Sequence, residues 1–335
     1  MEERLKRVSV IIPAYNAASK IDETIASVLD NISAEDELLI IDDCSSDETQ
    51  GVVEKWLGSQ VRYHCLQKNS GGPATPRNVG INLAEGEFIS IFDSDDLMYA
   101  GKLDIAVNVL SSQPDLGLVF SDFHVIDEDS VVVEEYFLSK YDFIKKIKSN
   151  IQKNHCVIRC PQGLQQLAKA NFIGTSGVMI RKSVLDECGT FDDELLNGDD
   201  YDLWLRISRR YSIAFIDRPL HGYRVGHQSI SKAGAVRLGP SKIRVLKKQL
   251  RDPINNEFSL DIKRWISKNY ALMAREFLYD GAKKLSIKNS LTSIKYFPNY
   301  EAFKILAMTI AGINLVNALK IVRDRAKNFM KKTSV

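Results

Sequence analysis

The stretch FISIFDSDD, residues 88–96, joins a short β-type run to three closely spaced carboxylates, Asp93, Asp95 and Asp96. Like charges at this spacing repel one another, and burying one of them unpaired is costly. A positive partner is therefore expected. Mg²⁺ or Mn²⁺ is one candidate, because hard cations prefer carboxylate oxygens and often hold a substrate's phosphates. The alternative is a solvated acidic turn in which Asp95 or Asp96 caps the next helix.

The chain around this stretch alternates between β-branched runs and helical patterns. This βαβα alternation predicts an α/β fold with a mainly parallel, Rossmann-like sheet that is flanked by helices on both faces. Ser45 and Glu48 match a capping box at the start of the second helix. The predicted strands cover residues 8–12, 38–42, 62–66 and 88–93, and the predicted helices cover about 20–30, 47–57 and 75–84.

Special residues follow three of these strands directly. Pro13 to Asn16 end the first strand, Asp42 and Asp43 end the second, and Asp93 to Asp96 end the fourth. The carboxyl ends of parallel strands share one edge of the sheet, which is where open α/β sheets bind ligands. This coincidence favours a metal and ligand site over a solvated turn.

The second half of the chain is less regular. A strand is predicted at LGLVFSDF (116–123) and a turn at DEDS (127–130), whereas the basic stretch 140–160 is poorly periodic and is interpreted as an excursion or a flexible loop. The pattern beyond about residue 240 is helical. We therefore predict a catalytic-type domain over residues 1–235 and a helical region over residues 236–335.

Bulk composition excludes some classes of protein. The 335 residues carry a formal net charge of +2, which gives no global field for nucleic acid. The five irregularly spaced cysteines indicate reduced thiols in the cytoplasm, and the spacing of His155, Cys156 and Cys160 fits zinc poorly. No signal peptide is recognisable. The apolar stretch 305–322 is interrupted by polar residues, so it is expected to lie on a membrane rather than to cross one.

Several motifs together are similar to the family 2 glycosyltransferases with the GT-A fold. The resemblance covers about residues 6–235, and six motifs in the right order make it specific. They are VSVIIPAYN, LLIIDDCSSDET, GGPATPRNVGINLAEGEFISIFDSDD, NFIGTSGVMIRKSVL followed by GTFDDEL, GDDYDLWLRI and GYRVGHQSIS. The glycine-rich SGGPATPRN matches neither G-x-G-x-x-G nor a P-loop, which argues against dinucleotide oxidoreductases and P-loop kinases.

The resemblance implies a site for the nucleotide of a UDP-sugar. Pro13, Tyr15 and Asn16 form the loop after the first strand, where Tyr15 would lie along the uracil ring. Asp43 would accept a hydrogen bond from the uracil N3–H, and Arg77 corresponds to an arginine near the nucleotide. The alternatives are a core aromatic for Tyr15, a loop cap for Asp43 and a surface charge for Arg77.

The same resemblance implies a metal site at the D-S-D element. Asp93 would face the ribose and the metal shell, and Asp95 would ligate Mn²⁺ or Mg²⁺ bridging the two donor phosphates, where the cation neutralises the leaving diphosphate. Asp96 makes the register ambiguous, because the ligand role could fall to it. His227, in the loop GYRVGHQSIS, is a further candidate for the metal or the phosphate, with a structural role as its alternative.

Asp200 in GDDYDLW corresponds to the family's general base, which takes a proton from the acceptor hydroxyl. Asp199 occupies a position of this motif at which the family more often has glutamate. The alternative is a helix N-cap pair. Arg224 would pair with phosphate oxygens of the donor. Trp204 would either form the floor of the acceptor site or belong to the core.

These expectations describe an inverting, metal-dependent enzyme that acts on a polysaccharide or lipid-linked acceptor and binds no nucleic acid. Two alternatives remain open, a nucleotidyltransferase and a non-catalytic protein that binds sugar nucleotides. The former would need a basic phosphate loop after the first strand, where only Lys20 is near. An apolar stripe with lysines and arginines over residues 300–332 predicts peripheral contact with the anionic cytoplasmic face of a membrane, and packing on the catalytic domain is its alternative.

Overall fold

The computed structural model describes residues 6–149, 151, 154–226 and 234–312. The chain divides into two compact units, Met1–Ser229 and Ile230–Val335. This division lies six residues before the boundary predicted at 235. Within the described ranges, none of the helices has the length and apolarity needed to cross a membrane.

The first unit is an α/β sheet with helices, as predicted. Its strands within the described residues are β1 (Lys6–Ala14), β2 (Glu37–Asp42), β3 (Val61–Cys65), β4 (Gly86–Ile91), β5 (Leu97–Met98), β6 (Leu116–Ile126), β7 (Val132–Glu134), β8 (His155–Ile158), β9 (Val178–Arg181) and β10 (Ser212–Arg224). Its helices there are α1 (Ile21–Leu29), α2 (Thr49–Glu54), α3 (Ala74–Leu83), α4 (Lys102–Ser112), α5 (Asp142–Lys148), α6 (Gln162–Leu167), α7 (Lys182–Cys188) and α8 (Asp199–Ser208).

The strand order is β3-β2-β1-β4-β9-β6-β10-β5, with β7 beside β6 and β8 beside β10. The first four strands pair in parallel, so the carboxyl ends of β1, β2 and β4 meet at one edge. β9 runs antiparallel to both β4 and β6, which makes the second half mixed. The sequence did not indicate these antiparallel pairs, because pairing direction is decided by how distant strands meet.

Local patterns explain the core of this unit. All residues of β2 are buried, which suits a parallel strand covered on both faces. In α1, Ile21, Ile25 and Val28 recur at helical spacing, and all three are fully buried.

Two local predictions are wrong. Ser45 and Glu48 do not form a capping box, because α2 starts at Thr49 without a side-chain cap and the Ser45 hydroxyl accepts a hydrogen bond from the Asn16 N–H (2.9 Å) instead. The stretch 140–160 contains α5 and also β8, which pairs with β10. Pairing with a distant strand supplies the order that the periodicity of the stretch does not show.

The second unit is helical, as predicted. In α10, Ala271, Ala274 and Leu278 pack against residues of α12, and the small alanines allow the two helices to approach closely. Its helices in the described part are α9 (Ala235–Leu250), α10 (Ser259–Tyr279), α11 (Lys283–Tyr296) and α12 (Tyr300–Ala311).

Candidate active site

The loops after β1 and β2 are tied together by Asn16. This residue, two positions after the end of β1, adopts a left-handed conformation (φ 47°), which asparagine tolerates better than most residues. Its backbone N–H donates to the Ser45 hydroxyl, and its side-chain oxygen accepts from the backbone N–H of Ser46 (2.9 Å). Tyr15 lies beside it with 52% of its surface exposed, so the core interpretation of Tyr15 is wrong.

Asp43 lies at the same edge, directly after β2, and is almost completely buried. Its two carboxylate oxygens accept from the backbone N–H and the hydroxyl of Ser70, both at 2.9 Å. Burial raises the pKa of Asp43, and the bonds from Ser70 oppose this shift. A carboxylate has about four acceptor positions. Asp43 therefore holds the loop at Ser70 and can still accept a further hydrogen bond.

Arg77 connects the acidic stretch after β4 to the start of α8. One of its terminal nitrogens donates to Asp199 (2.7 Å) and the other to Asp93 (2.9 Å). The guanidinium also lies over the Phe191 ring, 5.3 Å from its centroid. Burial lowers the pKa of Arg77, and the two carboxylates more than offset this effect. Arg77 is therefore a buried cation shared by two acids, and the surface-charge interpretation is wrong.

Asp200 is the neighbour of one of these acids and is only partly buried. Gly198, with a left-handed φ of 75°, precedes α8, so neither Asp199 nor Asp200 is the N-cap residue. The Asp200 carboxylate accepts from the Tyr201 N–H (2.6 Å) and the Thr175 hydroxyl (3.3 Å). Burial, together with the charge of Asp199, raises the pKa of Asp200 to about 6. A carboxyl group of this kind is able to exchange protons near neutral pH.

Asp96 turns inward, whereas Asp93 and Asp95 stay partly exposed. Asp96 is fully buried and accepts the backbone N–H of Arg224 (2.9 Å). Burial and the charges of Asp95 and Asp93 raise the pKa of Asp96 well above its ordinary value. Neither Asp95 nor Asp96 caps the next helix, because β5 intervenes and Gly101 precedes α4.

Arg224 is placed differently from the expectation that it meets phosphate. Its guanidinium is fully buried and donates to the Asp95 backbone oxygen (2.8 Å) and to the Glu23 carboxylate (2.8 Å). In this structure the arginine holds the acidic turn in place and is not presented to a ligand. Its remaining acceptors are the backbone oxygens of Asp127 and Glu128 and the hydroxyl of Ser130.

The acidic stretch is the candidate metal site. Among the described residues, no three His, Cys, Asp or Glu side chains converge as ligands. Asp93 and Asp95 are partly exposed carboxylates, whereas Asp96 is buried and bonded to the backbone. Hard oxygen donors suit Mg²⁺ or Mn²⁺. The residues fit a cation that takes one or two protein carboxylates and obtains its other ligands from phosphate and water.

The remaining candidate site residues are Pro13, Trp204 and His227. Pro13 is buried inside β1, where it pairs with Ile41 of β2. Trp204 is fully buried against Phe191, so it belongs to the core and not to the floor of an acceptor site. His227 lies outside the described residues.

Comparison with known proteins fits this geometry. Residues 9–171 match the model of Glycosyl transferase family 2. The chain carries a family 2 glycosyltransferase domain. It is 28% identical over 244 residues to WfgD of Escherichia coli, a UDP-Glc:alpha-D-GlcNAc-diphosphoundecaprenol beta-1,3-glucosyltransferase, covering 72% of this chain and 83% of that protein. It is 43% identical over 108 residues to TarP of Staphylococcus aureus, a poly(ribitol-phosphate) beta-N-acetylglucosaminyltransferase, covering 31% of this chain and 33% of that protein.

Solved structures show the same fold. The crystal structure of Staphylococcus aureus TarS 1–349 in complex with UDP-GlcNAc superposes on this glycosyltransferase with a TM-score of 0.61 at 18% identity. The alignment covers 96% of this chain and 92% of the TarS chain. The GT-A fold and the glycosyltransferase class expected from the motifs are confirmed.

Four residues of the glycosyltransferase site were missed by reasoning from sequence. Ser70 anchors Asp43, Thr175 contacts Asp200, and the Ser176 hydroxyl accepts the Asp93 N–H (3.0 Å). Phe191 lies under Arg77. All four lie in stretches that the sequence analysis singled out: Ser70 begins SGGPATPRN, Thr175 and Ser176 belong to NFIGTSG, and Phe191 belongs to GTFDDEL. A signal was therefore present for each, but the motifs did not show which side chain each residue contacts.

Proposed function

We propose that this glycosyltransferase moves a sugar from a UDP-sugar to a hydroxyl group of a polysaccharide or lipid-linked acceptor, with inversion at the anomeric carbon. The observation that carries the proposal is Asp200, a partly exposed carboxyl whose pKa is raised to about 6 by burial and by the charge of Asp199. A general base works best when its pKa lies near the working pH. Asp200 meets this condition in the first turn of α8.

In this proposal Asp200 accepts the proton of the acceptor hydroxyl. The oxygen then attacks the anomeric carbon from the face opposite the diphosphate, and one such displacement inverts the centre. Asp199 cannot take the same role, because it is buried and bonded to Arg77 at 2.7 Å. Asp202 is also unsuited, since Arg206 holds its carboxylate at 2.9 Å.

The donor is proposed to be UDP-glucose or UDP-N-acetylglucosamine. Similarity to the glucosyltransferase WfgD and the likeness to TarS bound to UDP-GlcNAc support these sugars. At the base, the exposed ring of Tyr15 offers a surface for stacking. Asp43 offers an acceptor for the uracil N3–H, because Ser70 uses only part of its capacity.

A divalent cation is proposed to join Asp95 and Asp93 to the donor diphosphate. When bound, it would neutralise charge on the leaving nucleotide. Asp96 is less suited as a ligand, because it is buried and bonded to the Arg224 N–H. Asp95→Asn should therefore weaken the Mn²⁺ dependence of UDP binding, whereas Asp96→Asn should not. Undiminished Mn²⁺ dependence in Asp95→Asn would move the ligand role to Asp93.

The transfer is tested with the full chain and a panel of nucleotide sugars. Release of UDP, and formation of a glycosylated product on undecaprenyl-diphosphate sugars or surface polysaccharides, should be seen with UDP-glucose or UDP-N-acetylglucosamine. The product linkage should be inverted relative to the donor, as NMR of the new anomeric proton would show. Retention of configuration, or turnover only with GDP- or CDP-sugars, would contradict the proposal.

Base recognition is tested separately by binding. Asp43→Ala should remove most of the thermal stabilisation by UDP, because stabilisation follows RT ln(1 + [L]/Kd). Asp30→Ala, an exposed change after α1, is the matched control and should leave the UDP effect intact. Wild-type UDP affinity in Asp43→Ala would remove this residue from the base site.

We place the protein in the cytoplasm, with peripheral contact to an anionic membrane through its C-terminal helix. In the described part of that segment, α12 exposes Tyr300, Phe303 and Ile310, which supports an apolar contact surface. Leu306 of the predicted stripe is half-buried in α12, and the part of the stripe beyond residue 312 lies outside the described residues. Flotation with phosphatidylglycerol vesicles should retain the full chain and lose Phe303→Glu/Ile310→Glu. Equal flotation of both proteins would contradict a role for α12 in membrane binding.

A further inference from the structure

We propose that the helical unit contains a second binding site, a basic groove that holds a soluble chain of phosphate groups. The groove has a volume of about 560 Å³ and lies along α9 and α10. Four of its lining residues are cations and none is acidic. The cations are Arg244, Lys247, Lys248 and Arg251, and the remaining lining residues are Pro240, Ile243, Tyr270 and Met273.

The four cations form one stripe. They follow one another at spacings of three, one and three residues, which places them on one side of the helix and its last turn. At about 1.5 Å per residue the stripe is roughly 10 Å long, enough for more than one phosphate. An ordinary solvated helix mixes both signs of charge, but α9 carries five lysines and arginines and no acidic residue. The stripe therefore suits a repeating anion better than a single one.

Lys247 is fixed at the wall of the groove. Its amine donates to the Tyr270 hydroxyl at 3.1 Å and lies 5.6 Å and 5.7 Å from the ring centroids of Tyr270 and Tyr296. The two rings stack at 5.8 Å. The bond from the Tyr270 side chain raises the pKa of Lys247, so the amine stays charged. Holding the amine in place lowers the entropy that binding an anion would cost.

Charge is divided sharply between the two units. Residues 1–229 contain 23 Lys and Arg against 36 Asp and Glu, a net charge of −13, whereas residues 230–335 contain 22 against 7, a net charge of +15. The overall charge of +2 hides this contrast. Such a field attracts an anionic chain to the helical unit and speeds its association.

A soluble chain suits the groove better than a membrane surface does. A bilayer presents its phosphates in a plane and reaches side chains that protrude, whereas Lys247 is half-buried in a concave site. The groove lies entirely within the helical unit, so the proposal does not depend on which sugar the catalytic unit transfers.

The test measures binding of short-chain inorganic polyphosphate to the full chain without a sugar nucleotide. Lys247→Ala/Lys248→Ala should raise the Kd roughly tenfold, as expected for two cations that contact phosphate. The same change should lower the slope of log K against log salt by about 2. The matched control is Lys283→Ala/Lys284→Ala, which removes two exposed cations outside the groove lining and should change the Kd less than about twofold.

Two results would overturn the proposal. Equal loss of polyphosphate binding in the groove variant and in the control would show attraction by net charge alone. Loss of flotation with phosphatidylglycerol vesicles in the groove variant, with polyphosphate binding unchanged, would assign the stripe to a lipid surface. Tyr270→Phe keeps the ring but removes the hydroxyl that holds Lys247, so a smaller rise in the Kd than in the double variant is expected. An unchanged Kd would contradict a role for the fixed amine in binding phosphate. Because sugar transfer is not measured, these outcomes are separate from those that test the catalytic function.

Discussion

Two acidic segments of the catalytic unit have nearly the same composition and different environments. Residues 93–96 and residues 199–202 each place three aspartates within four positions. In the first segment, Asp96 is buried against a backbone N–H and Asp93 is paired with Arg77. In the second, Asp199 and Asp202 are paired with arginines, which leaves Asp200 with neutral donors only at its carboxylate.

The comparison shows that neighbours, and not the density of acids, decide what each carboxyl group does. Arg77 serves both segments at once, with Asp93 on one nitrogen and Asp199 on another. Burial and the charge of Asp199 both raise the pKa of Asp200. The positive charge of Arg77, which is paired with Asp199, acts in the opposite direction and limits the rise. The predictions below separate the two segments.

The largest effect is expected from Asp200→Asn. The amide is almost isosteric but cannot accept the proton, so the transfer rate should fall roughly 10²–10⁴-fold while UDP binding stays near wild type. Asp202→Asn on the same helix is the matched control and should lower stability without a comparable loss of rate. Near-normal transfer by Asp200→Asn would place the base elsewhere.

Removing the shared cation should be the next largest effect. Arg77→Met leaves Asp199 buried without its partner and frees Asp93, so the free energy of unfolding should drop by about 3–5 kcal/mol. Arg206→Met should cost less, because the Arg206 side chain is 26% exposed and water replaces part of its contacts. Urea unfolding of both variants measures the difference. Equal losses of unfolding free energy in the two variants would mean that the bridge between the two segments adds nothing to stability.

The pH dependence should single out Asp200. Its pKa is about 6 in the folded protein and near the usual 3.8 when unfolded, so the folded state binds the proton more tightly. This contribution to stability is present below about pH 4 and is lost as the pH rises through 6. Asp200→Asn should therefore gain roughly 1–3 kcal/mol at pH 8 but little at pH 4. The transfer rate should rise towards a plateau above pH 6, and a flat profile between pH 5 and 7 would contradict the assignment.

The smallest effect is expected for Asp96→Asn. Burial raises the pKa of Asp96 well above its ordinary value and so favours the uncharged acid, which the amide resembles. The amide oxygen can still accept the Arg224 N–H. The free energy of unfolding should change by less than about 1 kcal/mol. Asp93→Asn, which discharges one partner of Arg77, should cost more. If Asp96→Asn is the more destabilising of the two, Asp96 carries a charge in the folded protein.

Some of the local predictions failed where distant residues compete for the same groups. Ser45 binds Asn16 rather than capping α2, and the order of residues 140–160 depends on pairing with β10. Arg224 was expected at the donor phosphates, but the backbone oxygens of the acidic turn and Glu23 occupy its guanidinium. Such competition involves partners far apart in the chain, which a short sequence window does not contain.

By itself, the sequence determined the alternation of strands and helices, the family motifs, and the edge of the sheet at which Asp43 and Asp93 both lie. Strand and helix periods and strand-end loops are local properties, so a short window contains them. Only the tertiary structure decided which acid is neutralised. Arg77 is 16 residues from Asp93 and 122 residues from Asp199, and only folding brings the three together, with Arg77 and Asp199 buried. Burial strengthens the charge interactions there, and that is what separates Asp200 from the aspartates beside it.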